Sequence, residues 1–342
     1  VDGSGAAGDY VTDTFSIGGT TLDKLQFGIG YTSSSSEGIL GIGYQINEVQ
    51  VGRAGKAAYN NLPAQLVADG VIQSNAFSLW LNDLSASTGS ILFGGVDTSK
   101  YHGTLETLPI QQESGYYAEF LITLTEVTLG NTVIAKNQAQ AVLLDSGSSL
   151  TYLPDAMTEA IYQEVSAEYS SADGAAFVPC SLAENTTTLD FTFSSPTISI
   201  PMSELVIPAT STDGRPLVTA DGTKVCLFGI APAGSSTSVM GDTFIRSAYL
   251  VYDLANNEIS IAQTNFNATA SNVVEITSGT SAVPDATLVQ NSVTASAGVG
   301  SNNVANTALG TSTSKAAAHR TAAPINFGAM AAVGAGMFYA VM

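Results

Sequence analysis

One stretch limits what this chain can become: Ala141-Val142-Leu143-Leu144-Asp145-Ser146-Gly147-Ser148-Ser149-Leu150-Thr151-Tyr152-Leu153-Pro154. Four small or apolar residues run straight into an aspartate. Three small residues that turn easily follow, and then a second apolar run that stops at proline. The pattern predicts a buried strand, a tight turn carrying a carboxylate, and a strand leaving that turn. An ionised carboxylate at the end of a buried strand is costly without partners. Asp145 is therefore either the start of an Asx-turn that bonds its own backbone or a functional group.

Composition narrows the choice. The chain has 342 residues, enough for two domains and a real core. Only 11% of residues are charged, yet 29 acidic side chains face 10 Lys and Arg, for a formal net charge of −19. Nucleic acid would repel such a surface, so no nucleic-acid partner is expected. The balance suits a secreted protein working at low pH, where protonation relieves self-repulsion. Ser, Thr, Gly, Val and Ile outweigh Lys, Glu and Arg, which favours strands and turns. Cys180 and Cys226, separated by 46 positions (226 minus 180), allow one disulfide. No His or Cys cluster has metal-ligand spacing, and no metal or cofactor is expected. His102 and His319 read as surface residues.

Four segments are expected: residues 1–108, 109–265, 266–323 and 324–342. The first two read as short strands. Tyr10 to Ile17 and Lys24 to Tyr31 flank a Gly18-Gly19 turn. Gly38-Ile39-Leu40-Gly41-Ile42-Gly43 predicts a buried strand closely approached by other backbone. Asn60 to Asp69 predicts a short helix stopped by Gly70. Pro154 opens a second helix, with Met157, Ala160, Ile161 and Val165 on one face. Two strands around Asn256-Asn257 form a closing hairpin.

From residue 266 the composition shifts to Ser, Thr, Ala, Asn and Gly without sustained periodicity, which predicts a disordered, flexible stalk to residue 323. Asn185-Thr186-Thr187 and Asn267-Ala268-Thr269 are N-glycosylation sequons. The chain closes on the apolar run Phe327 to Met342, preceded by a polar spacer holding His319 and Arg320 and by small residues upstream. Small site, spacer and apolar C-terminus form the layout of a glycolipid-anchor signal. The expectation is a GPI-anchored, extracellular cell-surface or cell-wall protein that meets the membrane through that anchor.

Other chemistries fit poorly. The chain has no GxSxG elbow, and His102 is the single histidine before the stalk, against a Ser-His-Asp hydrolase. Gly28-Ile29-Gly30 lacks the rest of a dinucleotide fingerprint.

Asp145-Ser146-Gly147-Ser148-Ser149 in its buried-strand setting resembles the active-site turn of pepsin-like aspartic proteases. Further features appear in the same order as in that family. They are the Asp2-Gly3-Ser4 start, Gly38-Ile39-Leu40-Gly41, Ile91-Leu92-Phe93-Gly94-Gly95-Val96-Asp97, Cys180 with Cys226, and Val239-Met240-Gly241-Asp242-Thr243-Phe244 followed by Val251-Tyr252-Asp253. The match runs from residue 1 to about 265, and the stalk and tail are similar to the wall-attached fungal branch, the yapsin and candidapepsin-like enzymes. The resemblance implies a mainly β, bilobal fold and a monomeric aspartic endopeptidase that hydrolyses polypeptides at acidic pH. In it Asp145 is one of two carboxylates that share a proton and activate water. Ser146, Gly147 and Ser148 support its turn, and Val1, Asp2 and Gly3 match the tip of the substrate-binding flap. Asp242 reads as structural.

The family's two lobes each pair an Asp turn with an apolar-apolar-Gly support strand. Both support strands are recognisable here, Ile39-Leu40-Gly41 and Val239-Met240-Gly241, but only one Asp turn is. Asp145 precedes Gly241 by 96 positions (241 minus 145). The same interval before Gly41 falls roughly 50 residues ahead of Val1, by the logic of internal repeats. The resemblance therefore implies a fragment whose first lobe lacks its beginning, and which is inactive by itself. The competing expectation is a non-catalytic wall or adhesion protein that keeps the fold.

Overall fold

The computed structural model of the chain describes residues 5–35, 37–52, 54–211 and 214–299. The chain opens with the long hairpin Ala6–Ile17 and Thr20–Ser33, antiparallel and closed by Gly18-Gly19. Both glycines have positive φ, 56° and 79°, as a two-residue hairpin loop of matching twist requires. The hairpin buries Leu22 and Leu25 against Leu62 and Leu66 of the helix Leu62–Ala68. Asn61 caps that helix, and Gly70, at φ 70°, ends it as expected.

A six-stranded sheet forms the middle of the molecule. Its order is Thr287–Leu288, Tyr101–Pro109, Glu258–Thr264, Ala248–Asp253, Ala76–Trp80 and Ser90–Phe93. Strands from both sides of residue 108 therefore lie in one sheet: Leu250 pairs with Leu79, and Ile259 with Leu108. All five residues of Ala76–Trp80 and all six of Ala248–Asp253 are buried. Phe77 stacks on Tyr252 at 4.8 Å between ring centroids, and Phe120 packs edge-on against Tyr252 at 4.7 Å.

The second part of the chain builds three further sheets. Two have four strands. Thr197–Pro201, Thr188–Thr192, Glu126–Leu129 and Thr132–Ala135 form one; Glu168–Ser170, Ala175–Pro179, Val225–Phe228 and Val206–Pro208 form the other. Cys180 and Cys226 are bonded, with their Cα atoms 5.0 Å apart, where Val178 pairs with Cys226 across that second sheet. The third sheet, of five strands, carries the Asp145 turn. The helix Asp155–Val165 follows from Pro154 and buries Met157, Thr158 and Ile161.

Two expectations differ from the structure. Residues 38–43 form no strand, and Ile39 and Leu40 are 94% and 48% exposed. A glycine-punctuated apolar run becomes a strand only when a neighbour completes its hydrogen bonds, and among the described residues none does so here. The expected disordered stalk also starts too early. Residues 266–299 pack as a strap along the molecule. Val273–Glu275 pairs with Gly95–Asp97, where the Asp97 carboxylate accepts the Asn272 N–H at 2.8 Å and the Ser271 hydroxyl at 2.7 Å. Ile276, Ala282, Val283 and Val289 are buried, and Thr287–Leu288 lies parallel to Tyr101–Pro109. The strap then reaches the start of the Asp145 strand, where Ala141 donates its N–H to Ala297. These few apolar side chains, spread among polar ones, offset the ordering cost that composition alone made prohibitive. Residues 300–342, with the rest of the expected stalk and the anchor signal, lie outside the described residues.

Candidate active site

The five-stranded sheet runs Ile230–Pro232, Thr151–Leu153, Ser238–Met240, Gln140–Leu144 and Leu121–Leu124. The strands entering and leaving the Asp145 turn, Gln140–Leu144 and Thr151–Leu153, are consecutive in sequence but not neighbours. Ser238–Met240 lies between them, parallel to the first through Leu144 opposite Met240 and antiparallel to the second through Val239 opposite Tyr152. The turn thus spans the end of an inserted strand. Leu144 donates its N–H to Phe120 at 3.1 Å, and Asp145 donates its own to Met240 at 3.1 Å.

Gly241 closes the gap beneath the turn. A Cβ there would stand 2.2 Å from the Leu150 carbonyl oxygen and 2.3 Å from that of Ser148. Only glycine fits such a backbone approach. The short helix Asp242–Ile245 then points its first N–H groups at the turn: Asp242 donates to the Ser148 carbonyl at 2.8 Å and Thr243 to that of Ser149 at 3.3 Å. The Thr243 hydroxyl bonds that of Thr151 at 2.9 Å and donates to the Gly229 carbonyl at 2.8 Å. Backbone and side chains together fix both arms of the loop.

Within it, Asp145 is half-buried and both its oxygens are occupied from the turn. Oδ1 accepts the Gly147 N–H at 2.9 Å, and Oδ2 accepts the Ser148 hydroxyl at 2.7 Å. A Cβ on Gly147 would come within 3.1 Å of Oδ1. The same hydrogen bonds that form the Asx-turn also hold the orientation of the Asp145 carboxylate. Ser146 is exposed on the turn, and Ser148 is half-buried. A carboxylate fixed in this way can accept a proton from water; hydrolysis also needs an acid.

Other carboxylates lie in its field. Burial pushes the Asp242 carboxyl up to about 7, with Arg246 opposing and Asp145 adding to the rise. Its Oδ1 is buried without a hydrogen-bond partner. Glu119 is also held above the usual carboxylate range, by burial first and then by Glu113 and Asp145. The Tyr252 phenol is pushed up by burial, with Asp145 and Asp242 contributing. Asp242 opens the helix Asp242–Ile245, and its carboxyl lies within the field of Asp145. The Gly-Asp-Thr-Phe motif marked the position, but only the packing of the helix behind the turn shows the coupling.

A family described as "Eukaryotic aspartyl protease" matches residues 1–264. "Probable aspartic-type endopeptidase OPSB" of Arthroderma benhamiae is 50% identical over 356 residues, covering all of this chain and 72% of that protein. The chain belongs to the eukaryotic aspartyl protease family.

Within this pepsin-like family the chain is similar to fungal proteases. "Probable aspartic-type endopeptidase opsB" of Aspergillus oryzae is 57% identical over 299 residues, covering 86% of this chain and 60% of that protein. "Secreted aspartic protease 3" of Candida albicans is 38% identical over 280 residues, covering 81% of this chain and 64% of that protein. The chain thus spans 60% of the length of the Aspergillus protease. The aspartic proteinase of Irpex lacteus shares the fold, with a TM-score of 0.63 at 22% identity over 79% of this chain and 85% of that one. The mainly β, pepsin-like architecture expected from the motifs is thereby established.

For an aspartyl protease, the structure brings Asp145, Ser146, Gly147 and Ser148 together in one loop. Val1, Asp2 and Gly3 lie outside the described residues. The two sequon asparagines are exposed and remote from the turn in sequence. Asn185 accepts the Thr187 N–H at 2.8 Å, whereas the side-chain amide of Asn267 is hydrogen-bonded to the Asp83 carboxylate.

Proposed function

We propose that this chain supplies one catalytic half of a secreted aspartic endopeptidase that cleaves polypeptides at acidic pH. The observation that carries the reading is the Asp145 carboxylate, half-exposed and held by Gly147 and Ser148 on a loop braced by Gly241. In the complete protease Asp145 is the second member of a dyad, and the first comes from a turn outside these 342 residues. The longer relatives and the uncovered Ile39-Leu40 run support that reading. Two close carboxylates share one proton, so one activates water while the other protonates the departing amine. Val1, Asp2 and Gly3 serve as the flap tip over an extended substrate. The protein is monomeric, N-glycosylated at Asn185 and Asn267, and held at the cell surface through a glycolipid added to its C-terminal signal.

The decisive experiment uses the protein expressed from its complete reading frame. Peptide hydrolysis at acidic pH should be blocked by a statine-type inhibitor and fall at least about 10³-fold in Asp145→Asn. An Asp145→Asn protein that retains turnover would refute the assignment, as would substantial proteolysis by the 342-residue chain alone. Release from cells by a phosphatidylinositol-specific lipase tests the anchor; a protein that stays bound contradicts it.

A further inference from the structure

Away from the turn, one buried charge draws three parts of the chain together. Glu204 sits on the short helix Met202–Leu205 and is 5% exposed. Its Oε2 meets the Arg246 Nε at 2.6 Å, and Arg246 also donates through Nη2 to the Glu204 main-chain carbonyl at 2.5 Å. Arg246 is itself 6% exposed. On its other side the same carboxylate accepts the Leu84 N–H with both oxygens, at 3.1 and 3.0 Å. Leu84 follows the strand Ala76–Trp80, so this contact joins the first part of the chain to the second.

Two short routes lead from Glu204 to the Asp145 turn. Arg246 directly follows the helix Asp242–Ile245 and bonds back to the Asp242 carbonyl at 3.0 Å. That helix holds the Ser148 and Ser149 carbonyls. The second route starts at the next residue, Leu205, whose carbonyl accepts the Gly229 N–H at 2.7 Å. The Gly229 carbonyl in turn accepts the Thr151 N–H at 3.0 Å and the Thr243 hydroxyl at 2.8 Å.

Burying an ion pair is a poor way to gain stability, because desolvation offsets most of the attraction. What such a pair supplies is direction: a guanidinium fork and a carboxylate tolerate few arrangements. We propose that Glu204 is a positioning residue for the catalytic turn. It fixes the helix Asp242–Ile245 beneath Asp145 and sets that helix in register with the Leu84 segment of the other lobe. This inference rests on the endopeptidase reading only for its kinetic consequence. The geometric claim stands apart from it.

The test uses the complete protein with Glu204→Ala, Glu204→Asp and Glu204→Gln, and Ser271→Ala as a stability control on the strap. Two quantities are read: kcat and KM on a peptide substrate, and hydrogen exchange at the Asp242 and Thr243 amides. Glu204→Ala should lower kcat by about tenfold or more with KM nearly unchanged, as small displacements of reacting groups do. Exchange at both amides should accelerate by a similar factor. Glu204→Asp keeps the charge but falls short of Leu84 and Arg246 together, so it should behave alike and carries the test if Glu204→Ala does not fold. Glu204→Gln keeps one acceptor oxygen but loses the second acceptor and the charge opposite Arg246, so it should fall between Glu204→Ala and wild type in both readouts. Ser271→Ala should change neither kcat nor the two amides. Folded Glu204→Ala or Glu204→Asp protein with wild-type kcat and wild-type exchange would overturn the proposal. If the wild-type protein has no peptidase activity, the function reading fails, while the exchange comparison still decides the positioning role.

Discussion

Gly241 and Ser148 are in backbone contact so close that the α-hydrogen of Gly241 takes the place any side chain would need. A Cβ at 241 would lie 2.3 Å from the Ser148 carbonyl oxygen and 2.2 Å from that of Leu150. Neither obstacle is a flexible side chain that could swing away. Gly241→Ala should therefore displace the whole turn, at a cost of several kcal/mol, in the range reserved for severe core damage. Urea denaturation checks this: a midpoint within experimental error of wild type would show that the loop has slack that its geometry denies.

Asp242 makes stability depend on pH. Burial pushes its carboxyl up to about 7, Arg246 pulls it partly back, and Asp145 adds to the rise. An unfolded aspartate titrates near 3.9. Between about pH 4 and 7 the folded chain thus holds a proton that the unfolded chain has released. Stability is fully present below pH 4 and is lost as pH rises through 7, by on the order of 2–4 kcal/mol. Glu119 and Glu258, both raised chiefly by burial, add to the same slope. Urea midpoints from pH 4 to 7.5 should decline in the wild type and decline less in Asp242→Asn. Parallel declines in the two proteins would clear Asp242 of the effect.

The Cys180–Cys226 bond closes a span of 46 positions. Removing it frees the unfolded chain by about 4 kcal/mol on the loop-entropy estimate. The double replacement Cys180→Ala, Cys226→Ala should lower unfolding free energy by roughly 2–5 kcal/mol. The Asp145 loop belongs to a different sheet, so the protein expressed from its complete reading frame, where it folds at low temperature, should keep its turnover per molecule. Loss of turnover in correctly folded double variant would tie the two sheets more tightly than their separate strand orders suggest.

Local chemistry explains which features could be read from the residues alone. Gly18-Gly19, Asn61 with Gly70, and the turn at Asn256-Asn257 each act on their own neighbours, and Asn257 does adopt a positive φ of 57°. Asp145 was legible for the same reason, since Gly147 and Ser148 supply its hydrogen bonds from two and three residues away. Ile39-Leu40 carries a strand's sequence pattern but forms none, because a strand is a property of a pair. The strap leaves no trace in the sequence pattern, because Ile276, Ala282, Val283 and Val289 are too few and too unevenly spaced to raise a periodic signal. Glu204 was invisible, since Arg246 and Leu84 stand 42 and 120 positions away.

The central sheet has a consequence for how the polypeptide is made. Leu79 pairs with Leu250, 171 positions later (250 minus 79). A ribosome adding about 5–20 residues per second leaves one edge of the strand Ala76–Trp80 unpaired for roughly 10–35 seconds, while Ser90–Phe93 can already pair its other edge. During that interval the hairpin at Gly18-Gly19, the helix after Asn61 and the pairing with Ser90–Phe93 can form, but Phe77 and Leu79 lack the cover that Tyr252 and Leu250 supply. Nascent chains paused before residue 248 should therefore be the ones that chaperones hold, and release should coincide with emergence of the strand Ala248–Asp253.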